Sequence, residues 1–510
     1  MPNYASGEVV LPKGHTGSSL FHAVLTEAAT QYESALGSAK FPSSASVFKR
    51  GYGASLARFE AARVRAPERV EIARFIVRRT LDALCYGNRD VALPLTSFLS
   101  ERVATPPLER RALGERGGLT LEVPLDGKLY RGAAIRDLVR RLYEQHQLTL
   151  AARAALDWIV DHALAQGGSL DLRGQRFVLL GAGAELSSAR LLLEAGASVL
   201  WVDLAEPTRS LANADALAGA ITRAPLASNL LTQPREVAAS IRAFAEDGPV
   251  HVGMFAYAPG ASKEWRLGAA MNALVASLEP GLVSSVSLLI SPTTPSVLSL
   301  ETALGRDSRY AIAPAWQKWL ERTGVIAHPG DLRVADTRIS LSTVSLQGLS
   351  YQAAQYISKI AAAETYAVFG TDLTSEHKRP VTVSANVAGI TRTRSLSHPL
   401  FNAAFEGASR FGVRIFDPET TRALNGYLML HDLLNPAAAG AASVQPTDER
   451  AKAAGVLEKQ IHGGIYTLPF VLEGVIRAAA VVGLVSRPSL LLQKSRPDSQ
   501  ATEALPLAAE

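Results

Sequence analysis

The run Arg176-Phe-Val-Leu-Leu-Gly-Ala-Gly-Ala-Glu-Leu-Ser-Ser-Ala-Arg190 carries the residue types needed to hold a diphosphate. Phe177 to Leu180 is apolar and of strand character, and Gly181 and Gly183 permit the tight turn that brings backbone N–H groups up to phosphate oxygens. Ser188 to Glu194 continues as a helix whose positive N-terminal end faces the same point. Ala182 lies between the glycines, and Leu186 stands where the Gly-x-Gly-x-x-Gly pattern has its third glycine. A second apolar run, Ser198 to Val202, ends at Asp203, about twenty residues past the glycines, where a carboxylate hydrogen-bonds ribose hydroxyls. An acid there repels the extra phosphate of NADP, so NAD is the expected cofactor, with NADP as the alternative. Glu185 must turn away, because a carboxylate beside a diphosphate repels it. A strand, turn and helix without any ligand is the plainer reading of the same residues.

Other chemistries find little support. The ten histidines are scattered, with no His-x-x-x-His pair and no Cys/His cluster, so no metal is expected. Neither a Gly-x-x-x-x-Gly-Lys phosphate loop nor a Gly-x-Ser-x-Gly elbow occurs. The single cysteine, Cys85, sits beside Ala83, Leu84 and Tyr86 and reads as a core residue.

The elements that must position the glycine turn begin at Asp171, where short apolar runs alternate with Ala-rich helical patterns. That is the rhythm of a parallel sheet covered by helices. Expected strands are Phe177–Leu180, Ser198–Val202, His251–Tyr257, Val286–Ile290, Ile339–Val344, Val381–Asn386 and Val413–Phe416. Residues 1–170 read as a mostly helical accessory, cap or oligomerisation domain. Its helical patterns are Pro67 to Cys85, Ala134 to Gln145 and Ala151 to Leu164, with breaks at Thr105-Pro106-Pro107 and Gly117-Gly118. Residues 171–435 form the nucleotide-binding unit, with an insertion at 291–336 that contains Trp316 and Trp319. Residues 436–510 hold an Ala/Gly/Pro/Ser-rich linker from Pro436 to Glu449, a hydrophobic helix from Ile465 to Val485 and a polar tail from Gln493. The expected fold is therefore α/β, a doubly wound parallel (Rossmann) sheet with an N-terminal mostly helical domain and a helical C-terminal extension.

Composition agrees with a globular chain: 47% of residues are hydrophobic and 19% charged. The net charge of +5, from 52 basic and 47 acidic residues, is too weak and too spread for a nucleic-acid footprint. Arg136, Arg140 and Arg141 read as a solvated helix face. A lone cysteine cannot form an internal disulfide, and Met1 to Gly14 has no apolar signal-peptide core, so a reducing, cytoplasmic location is expected. Pro469, Glu473 and Arg477 make Ile465 to Val485 a poor spanning helix. It reads as a buried or interface helix, with contact to a membrane surface as the alternative.

From Gly181 to about Asp417 the chain resembles the short-chain dehydrogenase/reductase family. Leu231-Thr-Gln-Pro-Arg-Glu-Val237 looks like the stretch after the third strand. His251-Val-Gly-Met-Phe-Ala-Tyr-Ala-Pro-Gly260 looks like the fourth strand and its Asn-Asn-Ala-Gly turn, without the asparagines. Ser340-Leu-Ser-Thr-Val-Ser345 is similar to the serine-bearing fifth strand, and Gln355-Tyr-Ile-Ser-Lys-Ile-Ala-Ala-Ala363 to the Tyr-x-x-Ser-Lys helix. Val381 to Thr393 looks like the sixth strand and its Pro-Gly-x-x-x-Thr loop, with Ala388 in the proline's place.

The resemblance implies a cofactor site at Gly181, Ala182, Gly183, Leu186, Asp203, Ala256, Tyr257, Ala258, Lys359, Gly389, Thr391 and Thr393. It also implies catalysis by a tyrosine proton donor, a lysine four residues later that lowers its pKa, and a serine that polarises a carbonyl. Ser358 and Lys359 fit, but Gln355 occupies the tyrosine position. Tyr356 is displaced by one residue, about 100° around the helix, and Tyr351 is the other candidate. Ser342 is the expected serine, with Ser345 beside it, and His398 follows the sixth-strand loop as a surface or cleft residue.

The implied activity is hydride transfer between NAD(P) and a small-molecule carbonyl or alcohol, hydrophobic or carrier-linked. The implied assembly is a homo-oligomer joined through Leu468–Leu484. Two alternatives remain: a non-catalytic nucleotide-binding scaffold, and a two-domain amino- or hydroxy-acid dehydrogenase whose cleft uses residues 1–170.

Overall fold

A computed structural model describes residues 7–488, apart from 38, 89–90, 115–117, 212–216, 259, 261, 376, 397–398 and 445–447. Pro259, His398, the break at Gly117 and the tail from Gln493 lie outside the described residues.

Seven strands build the central sheet: β1 (Glu109–Ala112), β2 (Arg176–Leu180), β3 (Ser198–Val202), β4 (Ala220–Arg223), β5 (Val250–Met254), β6 (Val283–Ile290) and β7 (Thr382–Val387). Their order is β7-β6-β5-β2-β3-β4-β1. The six strands from β2 to β7 are mutually parallel, and β1 runs antiparallel to β4. The chain starts in the middle at β2, moves outward through β3 and β4, then crosses back to β5 and moves outward the other way. The order of travel reverses between β2 and β5.

The sheet is buried on both faces because its strands are apolar at successive positions. Phe177 and Leu179 enter one hydrophobic core, while Val178 and Leu180 enter the other. On the first face lie the helices Ala134–Glu144, Leu150–Ala165, Ala189–Glu194 and Pro418–Leu434. The second face carries Gly17–Gln31, Ala45–Arg65, Arg69–Ala83, Pro234–Phe244, Lys263–Ala276 and Leu349–Ile360. Residues 1–170 thus split between the two cores and supply β1, instead of standing as a separate body. Side-chain caps fix several helix starts: Thr16 accepts from the Ser19 amide and Thr149 from the Ala152 amide.

Both sheet edges are blocked. β1 presents Glu109, Arg110 and Arg111 to solvent, which discourages further strand pairing. Along β7, Val383 N–H donates to Gly440 O and Ile461 N–H to Val387 O.

The strands expected at Phe177, Ser198, Val286 and Val381 form with ends shifted by a few residues at most, and the one expected at His251–Tyr257 ends at Met254. Two expectations are corrected. Ile339–Val344 is not a strand of the central sheet: Thr337–Ser340 pairs with Asp331–Val334 in a separate hairpin at the end of the insertion. Val413–Phe416 forms no strand, only one bridge from Phe416 to Thr391, because the Val387–Gln460 bridge already occupies that edge. The expected linker at 436–449 is packed among its described residues, with Ala438 and Ala441 buried and Gly440 lying against the β7 backbone. The hydrophobic helix begins only at Leu472 and runs to Ser486. Ile465 to Phe470 instead form a buried irregular strap held by Arg306, which donates to Tyr466 O and Leu468 O. No helix among the described residues is long and apolar enough to cross a membrane.

Candidate functional site

The carboxyl end of β2 turns at Gly181, whose φ of +88° is reserved largely for glycine. A Cβ there would meet the Ala256 backbone nitrogen at 2.3 Å, so this turn and the turn after β5 are pressed together at the reversal point. Asp203, at the end of β3, accepts hydrogen bonds from the Gly183 amide at 2.9 Å and the Ala205 amide at 2.7 Å. Burial pushes its carboxyl above the ordinary range, against the pull of those amides. Leu204, the next residue, is 73% exposed, an apolar side chain held in water beside the acid.

Glu185 does turn away from the glycines. It accepts from the Arg394 backbone amide at 2.9 Å, and the Arg394 guanidinium lies 3.6 Å from it. The loop after β7 is therefore tied to the loop after β2. Within that loop Gly389 is sealed under the Phe416 ring, Thr391 spends its hydroxyl on Gly389 O and Thr421, and Thr393 pairs with Ser395. Leu186 is half-buried in the turn that precedes the six-residue helix Ala189–Glu194.

Beyond Ala256 the chain continues to Tyr257 and Ala258. The Tyr257 ring meets the Tyr351 ring edge-on, with centroids 6.0 Å apart. Tyr351 lies in the first turn of the helix Leu349–Ile360, which connects β6 to β7 through the insertion. That helix has two faces. Tyr351, Gln355 and Ser358 are half-buried, whereas Gln352, Tyr356 and Lys359 are fully buried. On the first face the Ser291 hydroxyl pairs with the Thr293 hydroxyl at 2.8 Å, and Gln355 accepts from the Ser291 amide at 2.9 Å. Burial raises the Tyr351 phenol above its ordinary range against the pull of the Ser291 hydroxyl, and Glu264 adds to the rise.

The second face carries different chemistry. Tyr356 donates to Glu60 at 2.6 Å, and Lys359 donates to Glu60 at 2.8 Å and to Pro295 O at 2.6 Å. Arg63 bridges Glu60, at 2.9 Å, to Glu364, at 2.6 Å. Arg69 adds a contact to Glu364 at 3.0 Å. One wider turn of π-helix, Ala361–Tyr366, brings Glu364 to this point, where its side chain is sealed from solvent. Burial would raise both carboxyls. Arg63, joined by Lys359 at Glu60 and Arg69 at Glu364, outweighs it and holds them well below the usual carboxylate range. Burial depresses the Lys359 ammonium, with Glu60 opposing.

The fold thus gathers Gly181, Ala182, Gly183, Asp203, Ala256, Tyr257 and Tyr351 around the reversal point. It places Tyr356 and Lys359 on the buried side of their helix, locked to the helix Ala45–Arg65. Ser342 is buried just past the hairpin, 3.0 Å from the Ser340 hydroxyl, because the strand expected to carry it belongs to that hairpin. The hydroxyl at the end of β6 belongs to Ser291, which the sequence reading missed. Its signal was its place directly after the apolar run Val286–Ile290. Among the described residues no group of three or more His, Cys, Asp or Glu side chains is arranged to hold a metal. No family model, no curated protein and no solved structure matches this chain.

Proposed function

We propose that this chain is an NAD-dependent oxidoreductase of Rossmann architecture acting on a carbonyl or alcohol. One observation carries the reading. Counted from β2, the parallel strands lie in the order 3-2-1-4-5-6, and the glycine turn, the acid and the Tyr257 turn meet where that order reverses. Ligands of open α/β sheets bind in the crevice outside the strand ends at such a reversal. The Gly181 turn lies beside the Asp203 carboxylate, which suits ribose hydroxyls, and Leu204 offers an apolar surface for an adenine. The acid favours NAD over NADP. A bound dinucleotide would supply or take up the hydride.

Tyr351 with Ser291, and not Tyr356 with Ser342, then forms the hydrogen-bonding pair for the substrate oxygen. Gln355 stands one helical turn beyond Tyr351, where the resembled family has its lysine. With no ammonium there and a raised pKa, the phenol stays protonated at neutral pH and serves as a donor. That supports carbonyl reduction over alcohol oxidation. Fluorescence titration with NADH and NADPH tests the reading, followed by a carbonyl panel with wild type and Tyr351→Phe. Binding of neither nucleotide sinks it.

The sequestering of Lys359 by Glu60 favours a second reading, a nucleotide-binding protein without turnover. NADH binding with no activity on any carbonyl selects it. Little favours the two-domain dehydrogenase, since Glu60, Arg63 and Arg69 reach the second half of the chain only inside a closed cluster.

A further inference from the structure

Eighteen large hydrophobic side chains are exposed among the described residues, and seven of them fall between Val297 and Val325. Single exposed apolar residues are ordinary, whereas a concentration marks an interaction surface. The densest part is the segment from Ile312 to Val325. Ile312 is 81% exposed and Trp319 61% exposed. Trp316 precedes Trp319 by three residues on the helix Ala315–Arg322, so the two indoles share a face. This helix is held from beneath. Gln317 donates to Arg410 O at 3.0 Å, and the Trp316 ring rests edge-on against Phe411 at 5.1 Å. The knob is thus fixed in place with its apolar side outward.

Its charges lean basic. Glu321, the one acid of the segment, accepts from the Tyr310 hydroxyl at 3.0 Å and stands against three cations, Lys318, Arg322 and Arg410. Lys318 donates to the Ala311 carbonyl at 3.3 Å and lies over the Tyr310 ring, and neither it nor Arg322 forms an ion pair among the described residues. Arg410 is exposed beside them. Indoles and aliphatic side chains with a basic border match the boundary between lipid headgroups and acyl chains.

We propose that the knob Ile312–Val325 docks this protein on the surface of an anionic lipid bilayer, without crossing it. The basic border complements acidic headgroups, and the indoles enter the interface.

Sedimentation with vesicles tests this. Full-length protein is expected to pellet with phosphatidylcholine vesicles containing phosphatidylglycerol, and less with phosphatidylcholine alone or at high salt. Tryptophan emission shifts to the blue as Trp316 and Trp319 leave water. The double variant Trp316→Ala, Trp319→Ala lowers partitioning by more than about tenfold, as the lost apolar area requires. Arg322→Glu, a surface change away from any core contact, lowers binding to anionic vesicles only. Wild type that stays in the supernatant with anionic vesicles overturns the proposal, as does a double variant that pellets like wild type. A dimer by light scattering that the double variant converts to monomer overturns it in favour of a second copy as the occupant.

Discussion

Replacing Glu60 by Gln tests the assignment of Tyr356 and Lys359 to a structural role. The substitution keeps side-chain volume but removes one of two carboxylates that neutralise Arg63, Arg69 and Lys359. The buried cluster holds a net charge of about +1 as folded, and +2 in the variant, with no water to screen it. Breaking a buried pair by removing one partner costs about 3–5 kcal/mol, chiefly through the charge left behind. Against a total stability of about 5–15 kcal/mol that is a large fraction. Urea unfolding should show a midpoint shift of that size with an unchanged m-value. The double variant Glu60→Gln, Lys359→Met removes the orphaned ammonium and should recover at least about 1.5 kcal/mol, so the two changes are not additive.

The sign of the pH effect is also fixed. Both carboxyls are depressed on folding, so their stabilisation is fully present above the ordinary value of 4.5 and is lost as pH falls below it. Glu60→Gln should therefore flatten the acid limb of the stability profile. NADH affinity of Lys359→Met should match wild type. A single-variant cost below about 1 kcal/mol, strict additivity, or loss of NADH binding in a folded Lys359→Met protein would refute the reasoning.

Other outcomes follow from the same geometry. Asp203→Asn keeps one acceptor oxygen but turns an –NH2 towards the other of the Gly183 and Ala205 amides, which bond different oxygens of Asp203. The free protein should lose about 1–3 kcal/mol by thermal melt, the cost of the amide left without an acceptor, and NADH affinity should drop about tenfold or more with the charged hydrogen bond. Gly181→Ala forces a Cβ to within 2.3 Å of the Ala256 nitrogen at positive φ, and the melt should fall by the equivalent of about 1–3 kcal/mol or more. Gly483→Ala would drive a Cβ to 1.9 Å from Ala403 O, where the helices Leu472–Ser486 and Pro399–Ala408 touch backbone to backbone, so limited proteolysis should release the C-terminal helix. Burial, with Arg309, Arg306 and His146 adding, depresses the His462 imidazole to about 3. Its unfolded form binds the proton first, so stability falls as pH drops from about 6.5 towards 3, by about 2 kcal/mol at pH 5. His462→Asn should remove that slope between about pH 4.5 and 6.5 in urea titrations.

The sequence by itself determined the local parts of this protein. Apolar runs bounded by glycine set β2, β3 and β6, because strand burial on both faces leaves a continuous hydrophobic signature. The glycine turn and Asp203 were legible for the same reason: a positive φ and a fixed spacing are properties of the chain alone. β4 escaped notice since Ala220-Ile-Thr-Arg223 is short and mixed, and β1 since its exposed charges give no hydrophobic signal. Only the tertiary structure decided which face of the helix Leu349–Ile360 meets the crevice. Tyr351 and Tyr356 both suit a site by type. What separates them is Glu60, almost three hundred residues away in sequence, which claims Tyr356 and Lys359 for the interior. Long-range pairing of charges depends on the packing of whole elements, and no local spacing encodes it. The same holds for Ser291 against Ser342: which serine ends the sheet strand follows from sheet order, and sheet order is a property of the assembled fold.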